Sequence, residues 1–448
     1  MIGLLALIGV AQAADDPFAL SPKSTVLPNG LTVFVEPDTR TDTVALHLHY
    51  GVGARDEVEG EQGCAHLFEH LMFEGSASVP TNKFDEWLTA AGGWNNAYTS
   101  HDETAYHMAF PSGALDLALF LESDRMGFLD AGLNQENVEN QQKVVLQERA
   151  EGYAEPNGRD WDALDRLTWP VGHPYHVPVI GTVADIEGFQ IDAVRGFWKK
   201  HYRPRNAVLA IVGNVDPDVA LERVRHWFSD VPDPGEPLAR VSEPPVWTPP
   251  AERHGVLEDD VEERTLWLVW PTVPIGHEDE PALDVLGYVL SYGRGTRLDE
   301  KLELKGIATG NDAFLYTGDI GGQFIVYASS ERTPLAKLDK VVHKEIAKVA
   351  KSPPGDAEVE RAVKAVKAYL LSAIEDPVDR SQWIVDCHRL RGTPDCLGAE
   401  YARYAAVTPE DVSRVAAQYL TKDRFISLSV VPRGDDGAMP GARPVELP

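Results

Sequence analysis

The strongest constraint on this chain is a proline-rich break with one order of strands and helices on both sides of it. Val231-Pro-Asp-Pro-Gly-Glu-Pro and the pairs Pro244-Pro245 and Pro249-Pro250 read as a stiff linker over residues 231–252. Before it, residues 21–230 read as one α+β unit. Residues 31–36 and 44–50 alternate apolar and polar side chains, as half-buried strands do. Helical spacing covers 64–73 and 83–91, with strands at 95–99 and 105–110. Long amphipathic helices follow at 114–126 and 135–151, then a strand at 207–212 and a helix at 219–228. After the break, residues 253–432 restart the pattern: a strand at 265–270, a helix at 280–290, a strand at 324–328, a helix at 357–374 and a strand at 425–431. This repeat predicts an α+β protein of two homologous domains in tandem, each an antiparallel-rich sheet with helices packed on it in α/β-sandwich fashion. Residues 433–448, rich in Gly, Pro and Asp, are expected to be disordered.

The chain's 448 residues suffice for two such cores. A formal charge of −29 argues against a nucleic-acid binder, because neutralising phosphates needs a basic face and none is concentrated here. Residues 1–13 form a short apolar run ending in Ala11-Gln12-Ala13, the pattern of a secretory signal cut after Ala13. The run is too short to span a bilayer, and no other stretch is long and apolar enough. The expected location is therefore the periplasm or outside the cell. Of three cysteines, Cys387 and Cys396 can pair across a Pro-containing turn in an oxidising compartment, leaving Cys64 as a small buried residue.

The chemistry concentrates in His66-Leu67-Phe68-Glu69-His70. On a helix, His66 and His70 lie about 40° apart and Glu69 about 60° to the other side of His66. Two imidazoles and a carboxylate thus converge on one patch. A catalytic zinc takes three protein ligands and keeps one position for water, and a nearby carboxylate can take that water's proton. The order His-x-x-Glu-His is the inverzincin pattern. The third ligand must come from elsewhere. The helix over 135–151 offers Glu148, with Glu151 as the other candidate one turn on; Val144 and Val145 are read as its apolar face.

At these residues the sequence resembles the pitrilysin (insulinase-like) metallopeptidases, in the half-length branch of bacterial processing-peptidase-like proteins. The blocks that carry it include Leu27-Pro-Asn-Gly-Leu-Thr-Val-Phe-Val, Gly63-Cys-Ala-His-Leu-Phe-Glu-His-Leu-Met-Phe-Glu-Gly and Gly92-Gly-Trp-Asn-Asn-Ala-Tyr-Thr. Leu121-Glu-Ser-Asp-Arg-Met, His173-Pro-Tyr and Val212-Gly-Asn-Val-Asp follow in the family's order. The resemblance implies one zinc per chain on His66, His70 and Glu148, with Glu69 as general base in the hydrolysis of short or unfolded peptides. It implies that Asn96, Ala97 and Thr99 lie on an edge strand to which substrate adds as a further strand. It also implies a second half-length chain to close the reaction chamber. The second-half helix Glu280-Pro-Ala-Leu-Asp-Val-Leu-Gly-Tyr has no histidine, so the second domain is expected to be inactive and only the first half can build the metal site.

Two features depart from the family. Gln141 stands where an acidic residue is common, two turns before the third ligand. In the second half, Glu303 and Thr309 stand where an arginine and a tyrosine hold the substrate carbonyl, with Arg297 and Tyr316 as possible substitutes. The expectation is therefore a heterodimer whose partner supplies that pair, with a homodimer as the variant. The competing reading is a non-catalytic zinc-binding or scaffold subunit of such a complex.

Overall fold

The computed structural model describes residues 17–236, 238, 240 and 254–447. The expected export signal at residues 1–13 and most of the 231–252 linker lie outside the described residues. Strands β1 (Lys23–Val26), β2 (Thr32–Pro37), β3 (Thr43–Tyr50), β4 (Trp94–Thr99), β5 (Thr104–Pro111) and β6 (Ala207–Gly213) form one sheet in the order β1-β2-β6-β3-β5-β4. Strands β7 (His254–Asp259), β8 (Arg264–Thr272), β9 (Gly310–Gly318), β10 (Gly321–Ser330), β11 (Ile426–Pro432) and β12 (Arg443–Pro444) form the other in the order β12-β7-β11-β8-β10-β9. The sheets share a topology. β2 runs parallel to β6 and β7 parallel to β11, and every pair from there to the β4 or β9 edge is antiparallel. The chain is thus α+β with two domains of one design, and all described residues of the first precede those of the second.

The packing does not respect that boundary. Residues 21–230 were expected to form a unit of their own, yet helix Asp160–Thr168 sets Ala163 and Leu164 against Leu257, Val269, Ile325 and Leu428 of the second sheet. In return, helix Pro377–Arg391 of the second half packs Ile384 and Val385 against Phe34, Ala210 and Val212 of the first sheet. The reason lies in the central strands. β3 and β6 are buried on both faces, so their sheet needs a helical layer on each side. The polar positions of the 44–50 alternation, His47 and His49, are accordingly buried under the exchanged helix rather than exposed. Each remaining face carries its own half's core, with Leu46, Leu67, Phe68 and Tyr106 in the first and Leu266, Trp270, Leu286 and Phe324 in the second.

The tail from residue 433 is ordered through residue 447, contrary to the reading of disorder. β12 pairs with β7, the Arg264 guanidinium bonds Asp435 at 2.9 and 2.8 Å, and Val445 packs beside Leu257. The tail covers a strand edge that would otherwise present unpaired backbone groups. Cys387 and Cys396 form a disulfide that ties helix Pro377–Arg391 to helix Leu397–Ala405, and Cys64 is free and buried. No helix among the described residues is long and apolar enough to cross a membrane.

Candidate metal centre

The motif helix, Cys64–Leu71, is launched by Gly63, whose φ of 95° and close approach to the Ile180 carbonyl leave no room for a Cβ. The Glu57 carboxylate accepts from the Gly63 and Ala65 backbone N–H groups at 2.9 and 2.8 Å, satisfying the orphan donors of the first turn. Leu67, Phe68 and Leu71 are buried in the core. That burial fixes the rotation of the helix and leaves His66, Glu69 and His70 on the accessible side.

The long helix, Gln135–Ala154, supplies the third donor. Its register is held on both sides of Glu148. The Gln142 amide donates to the Ile186 carbonyl at 2.5 Å, and Arg149 Nε donates to the Gly181 carbonyl at 3.3 Å. Val145 is buried, whereas Val144, expected on the same apolar face, is exposed. Glu148 Oε2 lies 3.3 Å from His70 Nε2 and 3.8 Å from His66 Nε2. One donor atom from each of the three residues falls within 4.8 Å of the others. Glu151 does not join them; its carboxylate accepts from Gln147 at 2.7 Å on the exposed side.

The electrostatics suit a cation. Burial pushes the His66 imidazole down to about 4, so this ring is neutral and free to ligate at neutral pH. Burial also pulls on His70, but the hydrogen bond to Glu148, the Glu148 and Glu69 charges and the Gln141 amide together outweigh it and raise it. The same bond, working against burial, lowers Glu148. Two imidazoles and a half-exposed carboxylate are a donor set that fits zinc, with the Glu148 side accessible to solvent and substrate.

Glu69 stands outside this group. Its Oε2 accepts from Thr99 Oγ1 at 2.7 Å, and burial raises its carboxyl above the ordinary value. Thr99 belongs to β4, the last strand of its sheet, paired only to β5 among the described residues. Asn96 and Ala97 line a cleft of about 170 Å³ with Glu69, His70, Phe73 and Asp85. Phe73 and Asp85 were not singled out in the sequence. Asp85 accepts from Asn95 at 2.7 Å, a contact between elements that periodicity does not reveal. Gln141 donates to Glu74 at 2.6 Å and also bonds His70, so it contacts the ligand set directly.

The second-half positions lie elsewhere. Glu303 accepts from Asn311, Thr309 bonds Glu263, and Arg297 pairs with Glu358 through two contacts of 2.8 Å. The Tyr316 ring packs 5.4 Å from Trp161 at the seam between the halves.

Comparison with known proteins identifies the family and the fold. The family model "Insulinase (Peptidase family M16)" matches residues 32–173, and "Peptidase M16 inactive domain" matches residues 188–366. An uncharacterised zinc protease of Streptomyces coelicolor is 28% identical over 91% of this chain and 89% of its own length. The zinc protease PqqE of Helicobacter pylori is 26% identical over 96% of this chain and 97% of its own. The crystal structure of a protease from Helicobacter pylori superposes with a TM-score of 0.83 at 24% identity, covering 93% of this chain and 100% of that one.

Proposed function

The chain belongs to the insulinase-like (M16) peptidase family in its half-length form, and from that premise we propose that it is a zinc metalloendopeptidase acting on short or unfolded peptides. The observation that carries the reading is the convergence of His66, His70 and Glu148 within 4.8 Å, with Glu69 beside them but engaged by Thr99 instead. A zinc ion on those three residues would supply Lewis acidity, making water nucleophilic near neutral pH and steadying negative charge on the carbonyl oxygen.

This chain's own residues do the rest. Glu69 takes a proton from the attacking water and returns it to the leaving amine. Its raised carboxyl is better matched to base work near neutral pH than an ordinary glutamate. Thr99 holds one carboxylate oxygen and so aims the other. The free edge of β4 at Asn96 and Ala97 pairs with the substrate backbone, which brings the scissile bond to the cleft and makes recognition tolerant of sequence.

The reading includes a heterodimer, because Glu303 and Thr309 are engaged within their own half and offer neither an arginine nor a tyrosine to a substrate. The same observation favours the second reading, a zinc-holding subunit without turnover. Digestion of an unfolded polypeptide by the purified, zinc-loaded chain separates them, with Glu69→Gln as control. Cleavage that vanishes in the control supports the peptidase. Full activity from the single polypeptide contradicts the heterodimer. Bound zinc with no cleavage, alone or with a co-purified partner, contradicts the peptidase.

A further inference from the structure

The second half carries a counterpart of the motif helix. Helix Glu280–Ser291 follows β8 and precedes β9, as the motif helix follows β3 and precedes β4. Each packs on its edge strand and on a long helix further along the chain, Gln135–Ala154 in one half and Asp356–Ala373 in the other. Their burial runs in step. Cys64-Ala65, Leu67-Phe68 and Leu71 are buried, and so are Ala282-Leu283, Val285-Leu286 and Val289. On that register Asp284 occupies the place of His66, Gly287 that of Glu69 and Tyr288 that of His70. A Cβ at Gly287 would lie 2.8 Å from the Ala313 carbonyl oxygen, so no side chain can stand where the general base would be.

The position is nevertheless not filled in. Asp284 and Tyr288 line a cavity of about 160 Å³ together with Tyr369, Trp383 and Tyr404 from three neighbouring helices. The Asp284 carboxyl is largely buried and bonded by the Tyr404 hydroxyl, and the charge acting on it is that of Glu280, of its own sign. No cation lies within ion-pair reach of Asp284 among the described residues, whereas Glu280 is held by Arg403, and Glu400 by Arg391 and Arg403. Burying a carboxylate without a countercharge is costly, and aromatic faces attract cations. The Tyr369 ring is 61% exposed, which places it at the mouth. The space holds only a handful of non-hydrogen atoms.

We propose that this cavity, the second half's remade version of the metal site, binds a small organic cation: an ammonium head that pairs with Asp284 and an apolar body that lies against Trp383, Tyr369 and Tyr404. The ammonium can belong to a free amine or to a lysine side chain of a peptide. Among the described residues Asp284 belongs to no group of three or more metal-ligating side chains, so an organic cation suits the position better than a metal ion. The inference stands on its own cavity and is independent of peptide hydrolysis.

Isothermal titration of the full, zinc-loaded chain tests it, with n-butylammonium and Nα-acetyl-lysine amide as probes and 1-butanol as the neutral control. Saturable binding of either ammonium is expected, with 1-butanol at least tenfold weaker. Asp284→Asn preserves shape and the Tyr404 contact, and should weaken the ammonium at least tenfold. Tyr369→Ala, at an exposed ring that folding does not need, should weaken it several-fold. Absence of saturable binding by both ammonium probes would overturn the proposal. So would binding that matches 1-butanol, or that neither substitution changes.

Discussion

The two halves of this molecule share a sheet order and a helix in the same place, yet only one of those helices presents chemistry to solvent. In the motif helix, the side away from the core carries His66, Glu69 and His70; in its counterpart the same positions are Asp284, Gly287 and Tyr288, and Gly287 is buried. The apolar side is equivalent in both, with Leu67, Phe68 and Leu71 matched by Val285, Leu286 and Val289. The fold is therefore maintained by one set of positions and the function by another on the same two turns of helix. The long helices differ in the same way. Gln142 and Arg149 anchor Glu148 toward the motif helix, while helix Asp356–Ala373 presents Tyr369 to its counterpart.

This contrast can be broken most forcefully at Glu69. Glu69→Gln should lower kcat by about 10²–10⁴-fold, the usual worth of a positioned general base, while zinc content stays at the wild-type level. Loss of zinc in that variant would move Glu69 into the ligand set and undo the assignment. The reciprocal helices come next. Leu164→Ala and Ile384→Ala each empty a fully buried site on the other half's sheet, and each should cost about 2–5 kcal/mol in chemical denaturation. If each half unfolded separately, with only the half containing the substitution affected, the exchange would not be structural.

A smaller effect is expected beside the ligands. Gln141→Leu removes the amide that holds Glu74 beside His70, and zinc affinity measured by competition with a chelator should change by about 10–100-fold. An unchanged affinity would show that the contact is incidental. The smallest effect concerns the seam. Asp160 accepts from Trp267 of the second half at 2.8 Å, and burial pushes its carboxyl up to about 7. The folded state holds this proton more tightly than the unfolded chain, whose value is near 4. Its contribution is therefore greatest at low pH and is lost as pH rises from about 4 to about 7. Asp160→Asn should flatten that part of the stability–pH curve, and a curve identical to wild type would remove Asp160 from the account.

Much of this was legible in the sequence because the strongest signals are local. The His-x-x-Glu-His spacing fixes one face of one helix, and the restart after residue 252 announces the second sheet. The sequence favours Glu148 over Glu151, but helical pattern alone separates them weakly because they are one turn apart. The choice is made by Gln142 and Arg149, whose partners Ile186 and Gly181 are distant in sequence. The exchange of helices was hidden for a related reason. Ala163-Leu164 and Ile384-Val385 declare that they must be buried, but not against whose strands. His47 and His49 read as outward positions because alternation assumes one wet face, and the crossing helix removes it. The tail's Gly, Pro and Asp content argued for disorder, but composition does not show that β7 has an edge to cover. Asp284 and Tyr288 carried no signal at all, since their significance lies only in standing where His66 and His70 stand.

The central claim is that one half of this chain builds a metal site from His66, His70 and Glu148 and the other half builds none. Metal analysis after dialysis against zinc tests it directly, on the wild type and on His70→Ala and Glu148→Ala, with zinc-edge X-ray absorption to count imidazole ligands. The account predicts one zinc per chain, two imidazoles in its coordination sphere, and loss of the ion in both variants. Two zinc ions per chain, or zinc retained at full occupancy in both variants, would contradict it.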